Sequence, residues 1–515
     1  MIELIILISI IALWFISQVK NSLFWIYLWQ LKNYHIGRFK DHFRTKRGKS
    51  IFLNFFYISK IIALILFSFN YLIFLPFLII IFEGLISLFK IIIKKFNYPV
   101  FTKKTIFLFT LTILLFVALF KTINYSNIFF LSSKLLLINI LTPFIVSFVI
   151  LILQPFTFLI RSITLMKASN KRKKLKNLKV IGITGSYGKS STKEFLYTFL
   201  SYKYKGVKKT KENFNSEIGI SKFILDELNE NDNYFVCEMG AYNRGGIKLL
   251  CNIADPQIGI LTGINNQHLS TFGSQENIVK AKFELIEYVK DFSVLNWDNY
   301  LIKNNKKTFS NIYKYSYLEE QDIYATDIKI FKDHIEFNAC LKNGEKEYFK
   351  VNVLGGHNVS NLLGAIFVAY KLGMNLKEIS NAAKNIIPSQ GGMTIINNFI
   401  DATYSSNANG VMAHLGLLNL WEGKKVIVMP CLIELQKESK RIHKEIGKKI
   451  HEICDLAIIT TNDNFDDLKE EGKEKVIFEN NPNKILEIIK KYNKKEDIIL
   501  LESRVPSELI KKIRK

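Results

Sequence analysis

The stretch best placed to do chemistry is Val180-Ile181-Gly182-Ile183-Thr184-Gly185-Ser186-Tyr187-Gly188-Lys189-Ser190-Ser191-Thr192. Val180–Ile183 reads as a short buried strand, and Phe195, Leu196, Phe199 and Leu200 have helical apolar spacing. Between them lies a Gly-x-x-Gly-Lys-Ser turn. Its glycines let backbone N–H groups approach phosphate oxygens, and the helix start adds partial positive charge. Lys189 is then the residue to reach the β/γ-phosphates, and Ser190 the hydroxyl for Mg²⁺. The strict P-loop spacing needs another glycine at position 183, which is Ile183. Taken alone, the turn fits either a nucleotide-phosphate loop or a plain helix entry.

Further residues carry similar alternatives. Glu238 closes the apolar run from Tyr234, a position suited to holding Mg²⁺ or to a capping role. His268 follows the strand-like Ile258–Thr262 and reads as a ligand or as a structural histidine. Lys282 lies on an amphipathic helical stretch, where a solvated lysine is the plain reading. Asn213–Ile220 reads as a polar turn that caps a helix.

The elements that must position these residues fall into two unlike halves. Hydrophobic residues make up 49% of the chain, and nearly all the long apolar runs precede about residue 160. Ile2–Val19 is long enough to span a bilayer and lacks a cleavable signal's charged start, so it reads as an anchor. Ile51–Phe89 fits two spans turning near Asn70, Thr105–Phe120 one, and Phe129–Ile160 the last, with Pro143 and Pro155 as kinks. The intervening Lys20–Ser50 (interfacial or solvated), Lys90–Lys104 and Arg161–Lys179 are basic. Placing all three inside gives five spans, an external N-terminus and cytoplasmic catalytic domains at the inner membrane. The formal charge of +25 is read as this topology signal and not as a nucleic-acid surface. The five cysteines are scattered without metal-binding spacing.

From Lys179 onward short apolar strands alternate with amphipathic helices, as in an α/β sheet. Strands are predicted at Tyr234–Glu238, Ile258–Thr262 and Ser293–Asn296, with a helix at Gly355–Leu372. An antiparallel insert is predicted over Asp322–Val353 around Asn343-Gly344. A second α/β unit from about Gly391 has strands predicted at Ile395–Ile400, Lys425–Met429, Leu456–Thr460 and Ile498–Leu501, and a helix at Lys440–His451.

In order along the chain, Thr184–Thr192, Asn213–Ile220, Glu238–Ala241, Asn265–Leu269 with Phe272–Ser274, Ala281-Lys282, Leu295–Asn299, Gly356–Asn361, Tyr404–Asn407 and Ile433–Leu435 with His443 resemble the Mur ligase family, most closely its MurF type. The resemblance implies a P-loop ATP-binding central domain at 179–390 and a Rossmann-like domain at 391–515, after an α-helical membrane domain at 1–160 and a basic linker at 161–178. It implies ATP-dependent amide formation through an acyl phosphate, with two Mg²⁺ ions. Thr184, Gly185, Ser186, Gly188, Lys189, Ser190 and Ser191 match the phosphate loop. Ser190 and Glu238 match the first metal site, and His268 and Lys282 the second, Lys282 as a carbamylated lysine. Asn296, Asp298, His357 and Asn358 match positions around the adenosine, and Asp401 another nucleotide contact.

Three departures stand out. Gly391-Gly392 replaces a Gly-Arg pair, Ala402 replaces a second acid after Asp401, and Leu501-Glu502-Ser503-Arg504 stands where MurF has Lys-Gly-Ser-Arg. Membrane spans also replace the domain that grips the UDP end of the substrate. The expected activity is therefore a membrane-embedded ligase joining an amino acid or dipeptide to a lipid-linked or polymeric envelope precursor. A polyglutamate-type synthase and a nucleotide-binding membrane scaffold are the alternatives.

Overall fold

The structure, a computed structural model, describes residues 1–43, 45–123, 127–211, 214–305, 307, 309–403 and 407–513. Asn213, Tyr404–Ser406, Arg44 and Asn124–Ser126 of the polar loop before Asn127 lie outside them. The chain forms two compact units, Met1–Ile160 and Arg161–Lys515.

The first unit is helical. Among the described residues, five helical segments are long and apolar enough to cross a membrane, at Ile2–Leu31, Gly48–Ser68, Leu75–Ile92, Lys103–Lys121 and Ile128–Lys174. The first helix runs on past Val19, so Lys20 is not a loop residue. Trp25, Ile26 and Trp29 bury one face of this extension, and Asn21 donates to Glu83 at 3.2 Å. The chain turns at Asn70, whose φ of 60° ends the preceding helix. The last apolar stretch is broken at Leu153. Pro143 is accommodated inside Ile128–Ile152, whereas Pro155 lies in the first turn of Gln154–Lys174, where its missing N–H costs nothing.

The second unit opens on the end of a helix where the sequence predicts a linker. Residues 161–174 are not a linker but the end of that helix. Ala168 packs in the core, and the buried Arg172 donates to the carbonyls of Ala254, Leu175 and Leu178, each at 3.0 Å.

Nine strands form one sheet: β1 (Lys179–Thr184), β2 (Val207–Lys209), β3 (Tyr234–Glu238), β4 (Ile258–Leu261), β5 (Phe292–Asn296), β6 (Ile312–Ser316), β7 (Ile323–Ile330), β8 (Ile335–Leu341) and β9 (Lys346–Val351). Their order is β2-β3-β1-β4-β5-β6-β7-β8-β9, parallel through β7 and antiparallel beyond. The expected antiparallel insert is thus the sheet's own edge. Parallel strands covered on both faces must be apolar throughout, and Val180–Thr184 are all buried. Ile181 and Ile183 face the helices Lys189–Lys203 and His357–Lys371, while Val180 faces Gly246–Ala254 and Gln275–Tyr288.

Six strands form the second sheet: β10 (Thr394–Ile396), β11 (Phe399–Ala402), β12 (Lys425–Met429), β13 (Leu456–Ile459), β14 (Val476–Phe478) and β15 (Ile498–Glu502), in the order β10-β11-β15-β12-β13-β14. The single strand expected at Ile395–Ile400 is a hairpin. Asn397 adopts φ 55°, which asparagine tolerates, and reverses the chain.

Candidate active site

β1 lies between β3 and β4, so the chain leaves it toward opposite sides of the sheet. Such a switch point opens a crevice at the carboxyl ends of the strands. The turn after β1 sits there. Gly188 has φ 79°, and a Cβ on it would lie 2.3 Å from Asn361 Oδ1, so both backbone and space demand glycine. Thr184 Oγ1 donates to the Met239 carbonyl at 3.0 Å, and Ser186 N donates to the Gly263 carbonyl at 2.6 Å. The loop is therefore pinned to the strands on both sides. Lys189 Nζ bends back to the Gly185 carbonyl at 2.8 Å, and burial lowers its pKa against an opposing pull from Glu238.

Glu238, at the end of β3, is the centre of a saturated cluster. Its Oε2 accepts from Ser190 Oγ at 2.9 Å and lies 3.5 Å from Lys193 Nζ, and its Oε1 accepts from Asn215 Nδ2 at 3.0 Å. Burial pushes this carboxyl up, but Lys189, Lys193 and the two hydrogen bonds outweigh it and hold it below the usual carboxylate range. The Ser190 hydroxyl and the Glu238 carboxylate form a hard oxygen pair of the kind Mg²⁺ takes alongside phosphate and water. Among the described residues no group of three His, Cys, Asp or Glu could hold a metal.

His268 and Lys282 lie close enough to this loop to feel its charge. His268 adopts φ 62°, and its Nδ1 meets Glu434 Oε2 at 2.5 Å. Burial lowers its pKa, with Glu434 opposing and Lys189 and Lys282 adding to the shift. Glu434 comes from the second sheet's side and adopts φ 66°. The contact therefore bridges the two α/β lobes. Lys282, on Gln275–Tyr288, is only 4% exposed, with Nζ 5.9 Å from the centre of the Phe272 ring. Burial, reinforced by Lys189, brings its pKa down to about 7. An amine with about half its population neutral at pH 7 is nucleophilic enough to take up CO₂. As an amine it offers no oxygen to a metal, whereas a carbamate would.

Residues 183–369 match the model of the Mur ligase middle domain. This stretch is a Mur ligase middle domain. A UDP-N-acetylmuramoyl-tripeptide–D-alanyl-D-alanine ligase from Synechocystis sp. is 30% identical over 295 residues, which is 55% of this chain and 62% of that protein. The Bacillus subtilis enzyme of the same name is 30% identical over 285 residues, 53% and 60% of the two chains. The chain thus spans less than two thirds of the length of these relatives. In fold it is similar to MurF from Acinetobacter baumannii (TM-score 0.61, 23% identity, 69% of this chain and 79% of that one). It is equally similar to a Thermotoga maritima MurF ligase solved with ADP (TM-score 0.59, 24% identity, 68% and 84%).

Within the Mur ligase domain the structure brings Lys189, Ser190, Glu238, His268 and Lys282 to one crevice. The other expected nucleotide contacts are occupied as follows. Asn296 Nδ2 donates to the Thr262 carbonyl at 2.6 Å. Asp298 accepts from Ser316 Oγ and from Tyr317 N, the latter at 3.1 Å. Asn358 is fully buried, donating to the Leu354 and Gly391 carbonyls at 2.9 and 3.2 Å. Asp401, in the second sheet, accepts from Thr403 Oγ1 at 2.6 Å. His357 opens its helix with a buried Nδ1 that has no hydrogen-bond partner among the described residues, and burial takes its pKa down to about 3. Ser191 lies against the lobe junction, 3.8 Å from where a Gly392 Cβ would stand. Sequence reasoning missed Lys193, whose signal is its i,i+4 spacing from Lys189 on one helix face. It also read Asn215 only as part of a capping turn.

Proposed function

We propose that this chain is a membrane-embedded, ATP-dependent ligase that joins an amino acid or dipeptide to a carboxylate of an envelope precursor held at the cytoplasmic face. The observation that carries the ligase reading is the Lys189–Ser190–Glu238 cluster at the switch point of a Mur ligase middle domain. The names of the relatives point to D-alanyl-D-alanine as the first amine to test. Five helical segments long and apolar enough to cross a membrane precede the α/β unit in the chain, which favours a lipid-linked or polymeric carboxylate. Their basic flanks agree with one cytoplasmic-membrane topology.

The chain's own residues account for the first step. Loop N–H groups and Lys189 receive charge on the transferring phosphoryl group, and the substrate carboxylate becomes an acyl phosphate. Ser190 and Glu238 would hold a Mg²⁺, with His268 and carbamylated Lys282 at a second; the ions neutralise phosphate charge when bound. Asn215 and Lys193 fix Glu238 in place.

The test is phosphate release by detergent-purified full chain with Mg-ATP and bicarbonate, across amino acids and dipeptides. Native membrane lipid extract and a UDP-muramoyl tripeptide are supplied in parallel. Release requiring one amine and one carboxylate source, and falling about 10²–10³-fold in Lys189→Ala, is expected. Release with the soluble tripeptide alone would sink the membrane-substrate idea. ATP binding without amine-dependent release would sink the ligase.

A further inference from the structure

The carboxyl edge of the second sheet holds a buried dyad that neither the nucleotide nor a metal accounts for. His414, on Ala408–Leu417, places Nδ1 2.6 Å from Glu502 Oε2. Both residues are buried, Glu502 completely. Glu502 ends β15 and pairs in register with Ala402 of β11, next to Asp401. An acid is therefore missing at 402 but present on the adjacent strand. Ser503 donates to the other Glu502 oxygen at 3.0 Å from a backbone with φ 59°, a conformation non-glycine residues adopt only when held there. Both carboxylate oxygens are thus fixed.

His414 Nε2 is left without a partner among the described residues. Its ring lies 5.5 Å from that of His357, which belongs to the first lobe. His357 opens the helix that also carries Asn361, the residue pressed against Gly188 of the phosphate loop. The dyad is therefore joined through His357 to the helix that packs against the phosphate loop.

We propose that His414 is the proton acceptor for the amine the ligase consumes, with Glu502 as its positioning residue. The inference rests on the ligase reading above. An amino acid arrives as an ammonium, which has no lone pair to attack with. Glu502 holds the tautomer in which Nδ1–H donates to the carboxylate and Nε2 presents its lone pair. One ammonium proton moves to Nε2, giving an imidazolium paired with Glu502. The freed nitrogen pair forms the C–N bond at the acyl carbon, and the C–O bond to phosphate breaks with its electrons going to phosphate. The second nitrogen proton leaves with the phosphate, and His414 returns its proton to solvent.

The test compares D-alanyl-D-alanine with hydroxylamine as nucleophile, using the full chain, Mg-ATP and the two carboxylate sources above. Hydroxylamine is largely unprotonated at neutral pH and needs no base. His414→Gln is expected to lose about 10²-fold or more in kcat with the dipeptide. It should keep wild-type hydroxamate formation and an unchanged melting temperature. Glu502→Gln should show the same split, more weakly, with KM for the dipeptide unchanged. Equal losses with both nucleophiles would assign the pair a structural role, and no loss with either would leave it without one; both overturn the proposal. If wild type makes no ATP-dependent product with either nucleophile, the ligase reading fails first and takes the dyad with it.

Discussion

Lys60, in the helical unit, and Lys282, in the α/β unit, are buried to the same degree, at 5% and 4% exposed. Their surroundings differ in one respect. Lys60 Nζ donates to Glu83 Oε1 and Asn139 Oδ1, both at 2.7 Å, with Asn21 and Ser17 extending the network. Lys282 has no hydrogen-bond acceptor or ion-pair partner among the described residues. A buried ammonium needs a partner or gives up its proton. Lys60 has the partner and ties three helices together. Lys282 lacks it and is therefore chemically available.

The largest effect that can break this comparison is on Lys60. Lys60→Met strands Glu83 and Asn139 in the interior and should cost about 3–5 kcal/mol. Lys60→Met combined with Glu83→Leu should recover most of that, since no unpaired charge remains. Denaturant melts of the full chain in detergent read both; equal losses would mean the pair is not a structural tie.

Next comes Lys282→Met, which should leave the fold intact and lower product formation about 10²–10³-fold. The same variant sharpens the contrast through pH. Lys282 titrates near 7 when folded and near its ordinary 10.5 when unfolded. Between those values the unfolded chain binds more protons, so its contribution to stability rises with pH across that window and is at its lowest below pH 7. Lys282→Met should remove that rise from the melting curve in bicarbonate-free buffer. A pH dependence identical to wild type would mean the lysine keeps its proton.

The smallest expected effect is on Glu238, whose charge, like that of Lys60, is fully partnered. Asn215→Ala removes one support and should weaken Mg²⁺ dependence of turnover about 10-fold. A magnesium titration of phosphate release would detect it. No change would mean that Ser190 and Lys193 suffice to orient the carboxylate.

Much of the scaffold was legible locally. Tyr234–Glu238 is a strand with the predicted ends, because four buried residues after the half-buried Tyr234 keep the run nearly all apolar. Val207–Lys209 and Val476–Phe478 were not legible: three-residue edge strands are too short for any periodicity. Residues 161–174 read as basic linker because the last turns of Gln154–Lys174 are charged. Only packing shows that Ala168 and Arg172 turn one face of it into the domain's core.

The sequence by itself determined the phosphate loop, its lysine and serine, the carboxylate ending β3, and the division between apolar and α/β halves. These are properties of neighbours in the chain, where residue type and spacing fix the backbone's options. Tertiary structure alone decided that Lys282 is buried without a partner, that His268 meets Glu434 from the other lobe, and that Glu502 stands beside Ala402 and holds His414. Burial and pairing across 88 or 166 residues, the separations of those two contacts, leave no trace in local spacing. Yet they set which groups carry charge and which carry protons.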